Sequence, residues 1–461
     1  MTPKTNLPAG SQAPRWMQKI QYTRNAIAYM ETAAQRYGDI FNAPVIGNHP
    51  VVLFVSNPQA LQRIFLNDTK QFIAPPNQLL QPLLGDYSIL TMEGSRHLRE
   101  RRLLMPPFHG ERMRTYGEVI CELADQTLDL VPINTQFSAH QVAQDISLAV
   151  ILKVVFGIEQ AERFDRLKSL IVQFTDALQS PFIGGLLFFP ALQRDLGSRS
   201  PWGYVRHLQQ QIRELIYAEI FVKRSYLEGT HHSQHHLGSD ILSLLMSARD
   251  EAGQPLSDAE LHDELFTLLV AGYETTANAI AWALYWIHRH PQVREKLLAE
   301  LNHLGKATDP TTLVQLPYLA AVCNESLRLF PVVTLTVPRE VNESVELMGY
   351  QLEPGTRLYG CIYLTHQRPD LYPNPKLFQP ERFLERQFSP SEFFPFGGGV
   401  RRCIGEAFAQ FEMKLVIATL LSHYRFALVD QAPEYPQRRG VTFTPARGVQ
   451  MLLKEKIEAS I

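Results

Sequence analysis

The sequence predicts a mainly α-helical protein with small β-sheets (α+β), and three observations carry that reading. Long apolar-periodic segments with few internal breakers fill the middle of the chain. Short runs of branched and aromatic residues, bounded by Gly, Pro and Asn, stand towards both ends. The balance of 45% hydrophobic to 20% charged residues over 461 positions suits a globular protein with a large core. One domain over residues 1–461 is expected, because large enzymes built around one cofactor exceed the usual domain length. Its parts are an N-terminal β-rich stretch at about 38–56, a helical body at about 58–330, and a mixed C-terminal region containing a glycine-rich loop at 394–405.

Taken in order, "GDIFNAPVIG" and "HPVVLFVS" read as the first strands. From about Glu111 to Leu304 the pattern is mostly helical, with "AQDISLAVILKVVFGI" and "AERFDRLKSLIVQFTDAL" as clear segments. Within it, "GTHHSQHHLGSD" (residues 229–240) pairs His231 with His235 and His232 with His236 at the spacing of a helical metal pair. Gly, Ser and Gln disfavour the rigid helix such a pair needs, so a polar linker is the better reading. After Pro331, "LTVPREV" and "SVELMGYQLEPGTRLYG" return to strand character, followed by the proline-rich meander "HQRPDLYPNPKLFQPERFL". A helix follows Cys403, and "YRFALVD" and "RGVQMLLKEK" close the chain as strands.

A net charge of -2 gives no electrostatic basis for binding nucleic acid. Four cysteines without a CxxC pair point to a reduced, cytoplasmic protein. The N-terminus lacks the apolar core of a signal peptide, and no run of about 20 apolar residues occurs. A soluble protein is expected, with membrane contact peripheral at most; the apolar stretch "PFIGGLLFFP" (residues 181–190) is where such contact would fall.

The chemistry concentrates in "FPFGGGVRRCIGEAF", residues 394–408. Gly397, Gly398 and Gly399 let the backbone lie close against a flat ligand and adopt positive φ. Beyond Cys403, Phe408, Phe411, Leu415 and Ala418 recur at helical spacing, which places the cysteine at the N-terminal end of a buried helix. The helix dipole and free N–H groups there stabilise a thiolate, a good axial ligand for haem iron. Arg401 is placed to pair with a haem propionate. A core cysteine beside a glycine turn is the plain alternative. Against it, Phe396, Gly399, Arg401, Cys403 and Gly405 together match the FxxGxRxCxG signature, and the chain thereby resembles the cytochromes P450.

Upstream segments agree. Ser257 and Glu260 form a capping box and Pro291 ends the run, leaving a helix of more than thirty residues that is apolar nearly all round. Such a helix belongs at the centre of a protein. In its middle Gly272 opens space, beside the polar group Glu274, Thr275 and Thr276. A threonine hydroxyl there can bond back to a preceding carbonyl. The stretch from Ala271 resembles the family's (A/G)Gx(D/E)T(T/S) motif in the helix crossing the haem. The resemblance implies that Ala271 faces the cofactor and that Glu274 and Thr275 deliver protons. It also makes Glu325, Arg328 and Arg382, from "NESLRLFP" and "QPERF", a buried structural Glu–Arg–Arg network. It assigns His97, Arg101 and Arg339 to the propionates, and Phe396 and Gly399 to the haem-binding loop. His97 stands where many relatives carry Trp. The other arginines between Arg96 and Arg102, with Arg402, are candidates for a basic patch facing an acidic electron donor.

The implied cofactor is b-type haem, and the implied activity is insertion of one oxygen atom from O2 into a lipophilic substrate such as a fatty acid, terpene or steroid. The apolar stretches "FIAPPNQLLQPLLGDYSIL", "PFIGGLLFFP" and "VVTLTVP" are candidate pocket walls, with ordinary core as the alternative for each residue. The chain ends soon after its last strands, so electrons are expected from a separate ferredoxin or flavoprotein reductase. Two other functions compete: a haem-thiolate isomerase or dehydratase acting on lipid hydroperoxides, and a non-catalytic haem-binding protein. The acid–alcohol pair Glu274–Thr275 argues against both.

Overall fold

The computed structural model describes residues 7–457 apart from 48, 78–79, 109, 111, 159, 181–182, 184–185, 187–192, 229–239 and 304–308. The histidine cluster at 231–236 therefore lies outside the described residues, as does the 181–190 stretch except for Ile183 and Leu186. The chain divides into two compact units.

The first unit comprises residues 1–75, 324–403 and 441–443 and is built on a five-stranded sheet. Its strands run in the order Ile40–Asn42, Val52–Val55, Arg357–Gly360, Arg339–Val341 and Phe72–Ile73. Ile40 opposes Val55 in an antiparallel pair, whereas Val52 aligns with Arg357 in a parallel one. Alternate residues of the buried strand Val52–Val55 serve opposite faces, as the strand period of two requires. Val52 and Phe54 join Phe41, Tyr359, Met30 and Ala33, the last two from the helix Ala26–Tyr37. Leu53 and Val55 join Ile40, Leu358, Leu61 and Ile64, the last two from the helix Pro58–Leu66. Both faces are covered, which is why "VVLFV" carries no polar residue.

The second unit comprises residues 76–323, 404–440 and 444–461. Its axis is the 32-residue helix Asp258–Arg289, about 48 Å long at the α-helical rise. The capping box forms as the sequence predicts: Glu260 N–H donates to Ser257 Oγ at 3.2 Å, and Ser257 N–H to Glu260 Oε2 at 2.7 Å. The helix stops at His290, ahead of Pro291. The helices Ala139–Phe156, Pro201–Glu228 and Glu406–His423 pack around it. A three-stranded antiparallel sheet, Gln136–Ser138, Gln450–Lys456 and Tyr424–Leu428, lies in the same unit. Among the described residues, Ala139–Phe156 is long and apolar enough to cross a membrane, but 78% of it is buried inside the protein.

Candidate functional site

The cysteine loop belongs to the first unit. Gly397 and Gly399 have φ of +75° and +67°, the left-handed region where glycine is favoured. A Cβ on Gly398 would lie 2.5 Å from the Phe65 ring, so the loop runs flush against the Pro58–Leu66 helix. Cys403 N–H donates to the Phe396 carbonyl at 2.9 Å and closes the loop. The following helix starts at Glu406 behind Gly405, so Cys403 precedes its first turn rather than opening it. Cys403 is exposed, while Cys323 and Cys361 are buried and Cys121 is half-buried. Burial pushes the Cys323 and Cys361 thiols up to about 12 and raises Cys121 too. Those three sulfurs stay protonated at neutral pH, which leaves Cys403 as the cysteine suited to a thiolate role.

Arg339, on the strand Arg339–Val341, is buried and heavily engaged. Its Nη2 donates to Asp68 Oδ2 at 3.0 Å and to the Gly398 carbonyl at 2.9 Å, and its Nη1 donates to the Val337 carbonyl at 2.9 Å. Its Nε is a buried donor without a protein acceptor among the described residues. Asp68 also accepts from Val400 N–H at 2.8 Å. No feature of "LNDTKQF" marks Asp68 in the sequence, since its partners lie far along the chain. Arg401 is half-buried and Arg402 exposed.

The Glu–Arg–Arg network forms in the same unit. Glu325 accepts from Arg328 Nε at 2.6 Å, Arg328 Nη2 at 2.8 Å and Arg382 Nε at 3.1 Å. Arg328 Nη1 donates to the carbonyls of His366 and Pro375, and Arg382 Nη1 to that of Pro373. A pair with no exposed side-chain surface survives because nearly every donor finds an oxygen. The network ties the helix Pro317–Leu329 to the proline-rich meander.

In the second unit, the middle of the central helix breaks its own pattern. Ala271 is exposed and Val270, Gly272, Glu274 and Thr275 are half-exposed, although 264–269 and 276–280 on either side are buried. Thr275 Oγ1 donates to the Ala271 carbonyl at 2.8 Å and Thr276 Oγ1 to that of Gly272 at 2.9 Å, the back-bonding expected from the sequence. Gly272 has a further use. A Cβ there would stand 3.0 Å from Ile151 Cδ1, so the glycine admits the neighbouring helix Ala139–Phe156.

His97 and Arg101 lie four residues apart on the helix Gly94–Leu104, His97 buried and Arg101 half-buried. The basic cluster around them is partly neutralised. Arg99 pairs with Glu100, and with Asp250 at 2.7 Å and Glu260 at 3.0 Å; Arg102 pairs with Glu251. Arg96 and Arg402 are exposed. Of the expected pocket walls, Leu335 is core, packed with Phe54 and Tyr359, whereas Val333 and Val337 are half-exposed.

A mainly helical fold with small sheets carries an exposed cysteine on a glycine loop and a polar interruption in a long core helix. The cytochrome P450 family profile matches residues 8–452, and the chain belongs to that family. It is 32% identical over 460 residues to "Putative cytochrome P450 135B1" of Mycobacterium bovis, covering 100% of this chain and 94% of that protein. It is also 32% identical to "Putative cytochrome P450 137" of Mycobacterium tuberculosis, covering 96% and 90%. The retinoic-acid-bound cyanobacterial CYP120A1 shares the fold with a TM-score of 0.84 at 24% identity, over 98% of this chain and 100% of that one. The family's cofactor is haem. The residues present fit it: the buried Arg339 Nε awaits an acceptor such as a carboxylate, and the Cys403 thiol is exposed on its loop.

Proposed function

We propose that the protein inserts one oxygen atom from O2 into a lipophilic substrate of fatty acid, terpene or steroid type. Electrons come from a separate ferredoxin or flavoprotein reductase. The observation that carries this reading is the exposed Cys403 thiol on its glycine-bounded loop, beside three cysteines unsuited to ionise.

Haem, when bound, supplies the oxygen-activating chemistry, which a thiolate ligand promotes by donating electron density. Cys403 provides that sulfur. Arg401, Arg339, His97 and Arg101 hold the propionate carboxylates in charge-assisted bonds. Phe396, Gly399 and Ala271 offer flat or small surfaces to the ring. Glu274 and Thr275 move protons. The Thr275 hydroxyl proton is directed to the Ala271 carbonyl, so its oxygen lone pairs are left to accept a proton-bearing partner. Val333 and Val337 supply apolar wall to exclude water from the substrate.

Reduced holoprotein under carbon monoxide should show the strongly red-shifted Soret band of thiolate ligation, and Cys403→Ser should lose it. A wild-type protein without that band would overturn the assignment. Substrate class is read by titrating ferric protein with fatty acids, terpenes, steroids and retinoic acid, following the spectral change that accompanies loss of the iron's water ligand. A screen in which only polar compounds perturb the spectrum would reject the lipophilic class.

A further inference from the structure

We propose that Asp68 is a positioning residue for the cysteine loop, acting as the buried anchor through which both the loop and Arg339 are aligned for haem. The inference rests on Cys403 being the thiolate ligand. Asp68 lies just beyond the helix Pro58–Leu66 and is 5% exposed. One of its oxygens, Oδ2, takes two donors: Val400 N–H at 2.8 Å and Arg339 Nη2 at 3.0 Å. The same Arg339 nitrogen donates to the Gly398 carbonyl at 2.9 Å. Residues 398 and 400 are thus gripped by the two members of one buried ion pair, three to five positions before Cys403.

The glycine between them explains its own identity. Gly399 has φ of +67°, and a Cβ there would fall 1.9 Å from Asp68 Oδ2. A side chain at 399 would evict the carboxylate from the loop. The loop's third glycine is therefore required by Asp68.

The pair also sets the aim of Arg339. With Nη1 bound to the Val337 carbonyl and Nη2 to Asp68 and Gly398, Nε is the group left over. A buried guanidinium held on two edges offers its third in a defined direction, which is how outer-shell partners tune a metal site. Asp68 thereby fixes two separate groups at once, the loop carrying the sulfur and the cation facing a propionate.

The test compares wild type with Asp68→Asn and Asp68→Leu as haem-loaded proteins, at a temperature where circular dichroism shows all to be folded. Two rates are measured: loss of the red-shifted carbon monoxide Soret band after reduction, and transfer of haem to excess apomyoglobin. Asp68→Leu should accelerate both by about 10-fold or more. Asp68→Asn keeps an acceptor oxygen but loses the charge, and should fall between the two. If Asp68→Leu does not fold, the Asp68→Asn rates decide alone. A residue that merely supports the fold would lower the unfolding midpoint and leave both rates in folded protein unchanged, and that result overturns the proposal. A wild-type protein lacking the red-shifted band overturns the Cys403 reading itself, and the Asp68 proposal with it.

Discussion

Glu325 shows what one buried carboxylate can organise. Three side-chain N–H groups and the Gln379 backbone N–H converge on it at 2.6 to 3.1 Å. Replacing Arg328 with Ala would leave that carboxylate buried against a single arginine. Such a break costs about 3–5 kcal/mol, and denaturant titration of the variant should show a loss of that size. A loss below about 1 kcal/mol, typical of exposed pairs, would contradict the burial described. If Thr275 delivers protons as proposed, Thr275→Ala should leave donor oxidation running while product per electron falls. Unchanged coupling in that variant would remove Thr275 from proton delivery. Both residues were legible in the sequence because each sits in a short local motif. Asp68 was not, because its partners Arg339 and Val400 lie 271 and 332 positions away.

The long helix Asp258–Arg289 is the element whose sequence and structure agree most closely. Its capping box, its length and its polar centre all follow from the residues. What the pattern did not show is why the glycine at its middle is a glycine. Gly272 reads as open space, yet Ile151 Cδ1 fills the position a side chain would take. Gly272→Val should therefore overpack the contact and destabilise by about 1–3 kcal/mol. Adding Ile151→Ala to Gly272→Val should recover part of that loss in thermal melts. Strictly additive effects would show that the two residues do not share the space. The helix after Cys403 offers a second correction at this scale. Apolar periodicity located its body, but its start at Glu406 follows Gly405, a cap with no side chain to bond, so the sequence carried no sharp signal for it.

For the molecule as a whole, buried ionisable groups set how stability depends on pH. Burial lifts Glu412 to about 8, so it is protonated when folded and ionised when unfolded over most of the range above its ordinary value. The unfolded chain then binds fewer protons, and stability falls as pH rises towards about 8. Burial holds His140 and His288 down at about 4, which has the opposite sign: stability falls as pH drops below their ordinary value of 6.5. Between the carboxyl and imidazole ranges the two effects oppose each other. Above about pH 6.5 the imidazole effect is spent and the Glu412 contribution is worth about 2 kcal/mol up to pH 8, with Glu264, raised well above its ordinary value by burial, acting in the same direction. Glu412→Gln should make the fall in unfolding free energy across that interval shallower, measured by denaturant titration at each pH. An unchanged slope would show that Glu412 is not held protonated. The charge of the expected basic surface is likewise a matter of this scale: Arg99 and Arg102 pair with carboxylates from distant parts of the chain.

By itself the sequence determined the family and the central helix with its polar interruption, and it singled out Cys403 for the proposed sulfur ligand, because each reading depends on short local motifs. Only the tertiary structure decided which carboxylates Arg99 and Arg102 meet, what stands beside Gly272, and which acid anchors the cysteine loop. Those depend on side chains meeting across hundreds of residues, and local propensity is blind to that distance. The buried pair Asp68–Arg339 is the clearest case: a carboxylate and a guanidinium unremarkable in their own segments become one clamp once the chain has folded.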